Sequence, residues 1–382
     1  MKKTKLHLIL AALLLVAAGC TDTEMNMSTM VNRDGSCSRE VAFITDSATL
    51  VGSNDLGSTM GRLVEDSLWE KSWRYKDDTA HYAYPMSEAE YDSLAKILAS
   101  QTCGSKSLCD TVLLCVKRDF ASVEEMAEAS PFRLAEGSLR SSISLSKRFK
   151  WFYTDYLYSE TYPSQEALFR VPLSDYVDST LAAYWFVGQE EKLPTYSPYE
   201  KKILYDDIEK KVDKWLLACW INTACDVVAD NYNDIPHPPV SREQFDSLRD
   251  SITEYAASNN MEMMEDVTKI FSGYFHSDAY NELFAEGFAG EEAMGGLVEQ
   301  MLEKMTLQVD AQLVLPGRIT YANIGVVGPL GLSYRVSGVR MIPGDYTVTA
   351  QSRATNVWAF LLSGLIIGLA IVSFLLPIRR RK

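Results

Sequence analysis

The 382-residue sequence has few of the residues and motifs that common catalytic sites require. It contains only four histidines, and its seven cysteines form no CxxC pair. It has no HExxH and no GxSxG, which leaves a zinc-protease helix and a nucleophile elbow unsupported. Adjacent acids such as Asp206 and Asp207 would point about 100° apart on a helix, which does not suit an acid–base pair. The sequence therefore predicts no catalytic residue, no metal site and no cofactor.

Acidic residues outnumber basic ones between two short basic clusters at the ends of the chain. Lys2, Lys3 and Lys5 lie at one end and residues 379–382 are all basic at the other, whereas residues 21–376 carry a net charge of −21. So acidic a stretch repels polyanions, and we expect no nucleic-acid partner. Hydrophobic residues make up 47% of the chain, which is typical of a folded protein of about two domains.

Residues 1–20 have the pattern of a lipoprotein signal peptide. A basic start is followed by an apolar run over residues 6–18, too short to span a bilayer, and then by Ala17-Ala18-Gly19-Cys20. The small residues suit a signal peptidase, and the Cys20 thiol is the predicted site of lipid attachment. In the alternative interpretation this is an ordinary secretory signal and Cys20 is incidental. Both interpretations export the residues that follow.

A second membrane signal lies at residues 357–376, which contain no charge. Twenty helical residues span about 30 Å, the thickness of one hydrocarbon core. The tail that follows, residues 377–382, has four basic residues. It predicts a cytoplasmic C-terminus, residues 21–356 outside the cytoplasm, and an inner-membrane location in the bacterial envelope. Gly364 and Gly368 form a GxxxG pattern that allows a second helix, or a second copy of the chain, to approach closely. The alternative is a sorting signal that is later removed.

Six cysteines remain after Cys20, and an exported domain can oxidise them. Cys103 and Cys109 flank a short flexible loop, which makes them the predicted disulfide. Cys115, Cys219 and Cys225 lie in apolar runs, and the simpler expectation for them is a buried free thiol.

Hydrophobic periodicity predicts an α+β fold. Residues 25–45 predict a β-hairpin that turns at Asp34-Gly35, and its return arm places Cys37, Arg39, Val41 and Phe43 on one face. Serines at 87, 122, 197 and 241, each followed three residues later by Glu or Gln, predict helix starts. Strand patterns return near the C-terminus, so we expect one antiparallel sheet made of N- and C-terminal strands, with a helical insertion between them. The predicted divisions are 21–59 (hairpin and loop), 60–304 (helical insertion) and 305–353 (C-terminal strands).

Residues 141–158, inside the predicted insertion, form a long aromatic strand or hairpin. Trp151, Phe152, Tyr153 and Tyr156 are its candidate ligand groove, for a carbohydrate or a lipid. Aromatic residues also fill ordinary sheet cores, and that alternative stays open.

Two stretches resemble the LppM-like envelope lipoproteins. The first is residues 30–37, Met-Val-Asn-Arg-Asp-Gly-Ser-Cys, shortly after the predicted lipid site. The second is residues 315–319, Leu-Pro-Gly-Arg-Ile, with Asn323, followed by a strand meander and the apolar helix. The chain also looks like a lipoprotein of the Bacteroidota type. The resemblance implies an envelope protein with a β-rich exported domain that contacts lipid or glycolipid, and it brings no catalytic residues.

These observations predict a membrane-anchored envelope lipoprotein without catalysis. Its acidic extracytoplasmic domain would bind a lipid, a glycolipid or a protein partner. The alternative function is an extracytoplasmic hydrolase acting on glycan or peptide, with a site made of scattered residues, because any two of the 51 acidic residues can meet in a fold.

Overall fold

The structure is a computed structural model, and the residues it describes form two compact units. It describes residues 25–44, 47–52, 67–76, 78–101, 112–129, 133–134, 137–138, 140–305 and 307–375. The sheet unit comprises 23–162, 308–336 and 347–382, and the helical unit comprises 163–307 and 337–346. Cys20, Cys103 and Cys109 lie outside the described residues, as do the predicted signal peptide and the basic residues 379–382.

The sheet unit contains the strands. They are β1 (Met25–Val31), β2 (Cys37–Ile44), β3 (Glu70–Tyr75), β4 (Tyr82–Ala83), β5 (Val112–Phe120), β6 (Arg133–Leu134), β7 (Gly137–Ser138), β8 (Ser142–Phe149), β9 (Tyr153–Tyr162), β10 (Gln308–Val314), β11 (Arg318–Ala322), β12 (Val326–Gly328), β13 (Gly331–Ser337) and β14 (Tyr346–Thr355).

The predicted N-terminal hairpin is confirmed. β1 and β2 pair antiparallel, with Val31 opposite Cys37. Gly35 adopts a φ of +102°, which glycine tolerates without the steric cost that a Cβ would bring. The Asp34 carboxylate accepts hydrogen bonds from the backbone N–H and the hydroxyl of Ser36, which lower the pKa of Asp34. Residues 32–36 therefore form the tight turn that the Asp-Gly pair indicates.

The hairpin lies near the centre of an eight-stranded sheet of order β12-β13-β10-β1-β2-β5-β3-β4. Here the prediction of an antiparallel sheet is wrong, because β1 pairs parallel with β10, with Met25 opposite Val309. β1 is buried at every second residue and therefore contributes a row of side chains to a hydrophobic layer on one face of the sheet. The joining of N- and C-terminal strands in one sheet is as expected, and the sheet is mixed.

A second sheet of four strands has the order β11-β14-β9-β8. The predicted aromatic segment is a hairpin here, with Ser142 opposite Thr161 and Phe149 opposite Thr154. Inward residues of the two sheets, such as Arg39 of β2 and Glu160 of β9, meet in a buried layer. A short pair, β6 with β7, forms a sheet of its own.

The helical unit begins later than predicted. β3, β5, β8 and β9 all fall inside the predicted insertion of 60–304, yet they belong to the two sheets, so the helical segment starts at residue 163. Across both units the helices are α1 (Ser47–Leu50), α2 (Glu88–Gln101), α3 (Val123–Glu128), α4 (Ser179–Ala182), α5 (Pro198–Asp230), α6 (Arg242–Ser247), α7 (Arg249–Ser258), α8 (Val267–Phe275), α9 (Ala289–Met305) and α10 (Val357–Leu375). Shorter helical turns are Glu166–Leu168, Leu173–Asp175, Ala183–Val187, Glu190–Lys192, Tyr232–Asp234, Asn281–Phe284 and Gly338–Met341.

The four predicted helix starts are confirmed by their hydrogen bonds. Ser197 and Ser241 form complete capping boxes with Glu200 and Gln244, and Pro198 takes the first helical position of α5. Ser87 and Ser122 accept from the backbone N–H three residues on. Each cap satisfies a donor that the first helical turn leaves unpaired.

The core of the helical unit is apolar and aromatic. The 33-residue helix α5 is exposed in its first turns and buried from Ile208 onward, where α7 and α9 pack against it. Phe245 of α6 stacks on Phe275 of α8 at a ring-centroid distance of 5.7 Å, and Phe271 and Tyr280 pack within 6.4 Å of the same rings. Cys219 and Cys225 are buried free thiols, as is Cys115 in the sheet unit, which agrees with the simpler expectation.

α10 is an apolar helix at the end of the chain. Eighteen of its residues, Val357–Phe374, have a mean hydropathy of 2.4 and are almost entirely exposed. By length and composition this helix is able to cross a membrane.

Candidate functional site

The tip of the β8–β9 hairpin presents bulky aromatic side chains to the outside of the sheet unit. Paired backbone hydrogen bonds between Lys150 and Tyr153 close the turn at 2.8 and 3.2 Å, which leaves Trp151 and Phe152 at its corners. The side chains of Phe149, Trp151 and Phe152 are 60%, 44% and 43% exposed. Three large apolar residues in one five-residue tip form an unusual surface for a protein in water.

These aromatic residues pack around the first turns of α10. The indole Nε1 of Trp151 donates a hydrogen bond to Ser363 Oγ at 2.9 Å. Trp358 lies 5.3 Å from Trp151 and 6.3 Å from Phe149, measured between ring centroids. The tip and the helix therefore form one aromatic cluster, which Phe152 and Phe360 extend with a separation of 4.7 Å.

Asn356 fixes the start of α10 to the hairpin. Its backbone N–H donates to the Phe152 carbonyl at 2.9 Å, and its side-chain amide donates to the Lys150 carbonyl at 2.8 Å. Its amide oxygen accepts from the Thr154 hydroxyl at 3.2 Å. Because Asn356 is buried and uses both ends of its side chain, the direction of α10 relative to the sheet is set by several bonds at once.

Basic residues outnumber acidic ones in the three segments that contain or adjoin this cluster. Segments 32–36, 147–155 and 353–356 together carry five basic residues and two acidic ones, in a chain whose net charge is −14. Arg353 lies over the Tyr153 ring at 4.0 Å and pairs with Asp155 at 2.7 Å. This hydrogen bond, more than any other contact, lowers the pKa of Asp155. We call the residues Arg33, Lys147, Arg148, Lys150 and Arg353 the basic collar.

A second polar assembly lies buried between the two sheets. Arg39 Nη2 contacts both carboxylate oxygens of Glu160 at 3.1 Å, and the side chains are 1% and 0% exposed. Tyr158, Tyr162 and Ser141 donate to the same carboxylate at 2.7, 2.9 and 2.9 Å. Burial, and then the charge of Glu160, raises the pKa of both tyrosines well above their ordinary value.

Arg39 stays charged in this setting. Burial is the largest single effect and would lower the pKa of Arg39, but the charge of Glu160 and the interactions of Arg39 with the surrounding tyrosines together raise it. Its Nε donates to Thr29 Oγ1 at 2.9 Å. Both oxygens of Glu160 are thus occupied by donors and closed to solvent, so this carboxylate is not placed to act on a substrate.

The structure places the predicted groove residues in different surroundings. Trp151 and Phe152 lie at the exposed hairpin tip, and Tyr153 lies beneath Arg353. Tyr156 is 4% exposed, and its hydroxyl donates to the Arg33 carbonyl at 3.1 Å. The four are not brought together around one concavity, and the groove stays a prediction.

The two glycines of the predicted helix contact face open space. A Cβ added at Gly364 or Gly368 would meet no atom within 4 Å. The structure thus leaves this side of α10 accessible to a second helix, which also stays a prediction.

One group of side chains that the sequence did not indicate is able to bind a metal ion. Glu40, His81 and Cys115 each offer one ligand atom, and these atoms lie within 4.8 Å of one another. His81 Nε2 is 3.9 Å from Glu40 Oε2, and its Nδ1 is 2.9 Å from the Ser72 hydroxyl. Burial raises the pKa of the Cys115 thiol to about 12. The three residues lie far apart in the chain with no motif spacing, so only the strand register brings them together.

Comparisons with protein-family models, with curated proteins and with solved structures found no match.

Proposed function

We propose that this protein is a membrane-anchored, non-catalytic lipoprotein of the bacterial envelope that binds lipid at the outer face of the bilayer. In this proposal α10 crosses the membrane, Cys20 carries a second, lipid anchor, and the C-terminus is cytoplasmic. The sheet unit would lie directly on the bilayer, with the β8–β9 tip in contact with lipid. The packing of the hairpin tip around α10 is the observation that carries the proposal.

The depth of the contact supports this arrangement. Ser363 lies six residues after Val357, which is about 9 Å along a helix axis. If α10 spans the membrane from Val357, the indole of Trp151 reaches below the level at which the helix enters the hydrocarbon. There the Trp151 Nε1–Ser363 Oγ hydrogen bond satisfies two polar groups that lipid cannot. The exposed faces of Phe149 and Phe152 would then be covered by acyl chains.

The chemistry of the surrounding residues fits a bilayer interface. Tryptophan is enriched where the hydrocarbon meets the headgroups, and Trp151 and Trp358 both lie in the cluster. The basic collar lies beside them, at the level where phosphate groups would be found. Each Lys or Arg near an anionic bilayer contributes about 1 kcal/mol of attraction. The protein as a whole is acidic, but basic residues are concentrated at the base of its apolar helix. This position suits them to bind anionic lipid.

Tryptophan quenching in vesicles tests this proposal. The full chain is reconstituted in phosphatidylcholine–phosphatidylglycerol vesicles whose acyl chains carry bromine, which quenches only nearby indoles. Trp151→Phe should remove a large share of the quenchable emission, and Trp358→Phe should do the same. Trp185→Phe is the matched control, because Trp185 lies in the helical unit, where its ring packs on Tyr205. Quenching that is unchanged by Trp151→Phe would contradict the proposed position of the tip.

Charge substitution tests the lipid preference. Arg148→Gln combined with Lys150→Gln should reduce the enrichment of labelled phosphatidylglycerol around the protein, whereas Lys269→Gln in the helical unit should not. Equal enrichment in all three proteins would mean that the collar does not select anionic lipid and would favour a protein partner.

A further inference from the structure

We infer that Glu40, His81 and Cys115 form a binding site for a divalent metal ion of the zinc class on one face of the eight-stranded sheet. This is the one group of three such ligands in the part of the chain that the structure describes. The inference does not depend on the proposed contact with the bilayer.

Strand register explains how the ligands meet. Cys115 on β5 lies between Ala42 on β2 and Ser72 on β3, and Ser72 in turn pairs with Ala83 on β4. Paired residues share a face of a sheet, and so do residues two apart in one strand. Glu40 is two residues from Ala42, and His81 is two residues from Ala83. Glu40 therefore projects from the same face as Cys115. His81 immediately precedes β4, and its ring lies within 4.8 Å of both other ligand atoms.

The donor set indicates the metal. A thiolate, an imidazole and a carboxylate are the side chains that bind zinc, whereas magnesium and calcium require oxygen ligands alone. Two such ligands on one tetrahedral ion lie about 3.5 Å apart, since metal–ligand distances are about 2.0 to 2.3 Å. The observed separations of up to 4.8 Å need only side-chain adjustment, because Glu40 and His81 are 25% and 38% exposed. Three protein ligands leave the fourth position to water or to a group from outside.

A second contact orients the imidazole. The Ser72 hydroxyl lies 2.9 Å from His81 Nδ1, on the opposite side of the ring from Nε2. Metal-binding histidines commonly use their second nitrogen in this way, and the bond directs the free nitrogen at the ion. Binding would replace the proton on Cys115 Sγ by a metal–sulfur bond, and the released proton would pass to solvent.

The neighbouring charges are mixed. Lys117 lies opposite both Glu40 and Glu70 in the register, and Arg74 donates to the carbonyls of Tyr75, Lys76 and Asp78. Arg74 also hydrogen-bonds the Cys115 thiol, and a metal ion would take the place of this contact. The site therefore has a charged border with a buried sulfur at its centre.

Cobalt titration of the reduced full chain in detergent tests the site, because thiolate-bound cobalt has a distinct charge-transfer absorption. The wild-type protein should bind one equivalent with this band and with the visible bands of tetrahedral cobalt, and zinc should displace it. His81→Ala and Cys115→Ala should each abolish the band at one equivalent. Ser72→Ala should weaken binding about tenfold, since it removes only the orienting bond.

Matched controls use another cysteine and another histidine of the chain. Cys225→Ala removes a buried thiol of the helical unit, and His237→Asn removes an exposed imidazole in a left-handed conformation that Asn tolerates. Both should bind as the wild type does. Should Cys115→Ala fail to fold, Glu40→Gln and His81→Ala alter side chains that are only partly buried and carry the test alone. A band that persists in His81→Ala and Cys115→Ala, or binding without a thiolate band, would overturn the inference.

Discussion

The sheet unit and the helical unit bury different kinds of group. Between the two sheets lies a charged pair, Arg39 and Glu160, with three hydroxyl donors around it. Among the described residues of the helical unit no charged side chain is buried, and the buried hydroxyls of Thr223 and Thr253 bond carbonyls of their own helices. Hydrophobic contacts stabilise the helical core, and their energy depends little on direction. The hydrogen bonds between Arg39 and Glu160 are directional, so they form in only one alignment of the two sheets.

This difference predicts which substitutions should destabilise each unit most. In an apolar core the cost of a change follows the volume and area removed. In a core with a buried ion pair, removal of one partner leaves the other charge without compensation in a medium of low polarity. Hydrogen–deuterium exchange followed by mass spectrometry measures opening free energies separately in peptides of each unit, and it serves for the predictions at neutral pH below.

The largest expected effect is that of Glu160→Gln. It leaves the Arg39 guanidinium buried without a carboxylate, which should lower the opening free energy of β2 and β9 by about 3–5 kcal/mol. Peptides of α5 in the helical unit should exchange as before. Asp310→Asn is the matched control, because Asp310 pairs with Arg335 in the same unit and is 61% exposed, so its loss should cost less than about 1 kcal/mol.

A double replacement sharpens the first prediction. Arg39→Met with Glu160→Leu removes both charges and retains the side-chain volume, and it should recover most of the lost stability. No recovery in the double variant would mean that the tyrosine hydroxyls, and not the uncompensated charge, determine the cost.

The next effect concerns alkaline pH. The pKa values of Tyr158 and Tyr162 are raised in the folded state, so the stability they contribute is complete below about pH 10, the unfolded value, and is lost as the pH rises toward the folded values. Tyr158→Phe should cost about 1.5–3 kcal/mol at neutral pH, because Glu160 loses a donor at 2.7 Å. In urea unfolding above pH 10 the variant should lose stability less steeply, by up to about 1.4 kcal/mol per pH unit. Tyr199→Phe, at a side chain that is 74% exposed, should change neither the stability at neutral pH nor its slope above pH 10.

Local and non-local features differ in how far the sequence predicts them. A capping box is a local signal, complete within four residues, and all four predicted starts at Ser87, Ser122, Ser197 and Ser241 are confirmed. The turn at Asp34-Gly35 is equally local. By contrast, the parallel pairing of β1 with β10 joins residues at opposite ends of the chain, and no periodicity within either strand specifies it.

The Arg39–Glu160 pair and the proposed metal ligands are likewise brought together by strand pairing between distant parts of the chain. The alternation of β2 does place Arg39 on the face of Val41 and Phe43, and that of β9 places Glu160 between Tyr158 and Tyr162. A charge at an inward position of each of two strands is the signal that indicates such a pair. Glu40, His81 and Cys115 give no such signal, because each is an ordinary residue of its own strand or loop until the register is known.

The smallest expected effect is that of removing a helix cap in the helical unit, whose described residues include no buried charge. Ser241 caps α6 by accepting from the Gln244 N–H at 3.3 Å, while the Gln244 side chain accepts from the Ser241 N–H at 3.0 Å. Ser241→Ala should lower the opening free energy of α6 by about 1 kcal/mol, because it leaves a helix-end donor unpaired. Ser247→Ala, at the other end of the same helix, should have a smaller effect, since the exposed Ser247 hydroxyl bonds a carbonyl that already has solvent nearby.

If Ser241→Ala also weakened protection in α8, whose Phe271 and Phe275 pack against Phe245, the cap would be setting the position of the aromatic core. Packing alone would then not specify the arrangement of the helical unit, and a polar bond would be needed there as it is between the sheets.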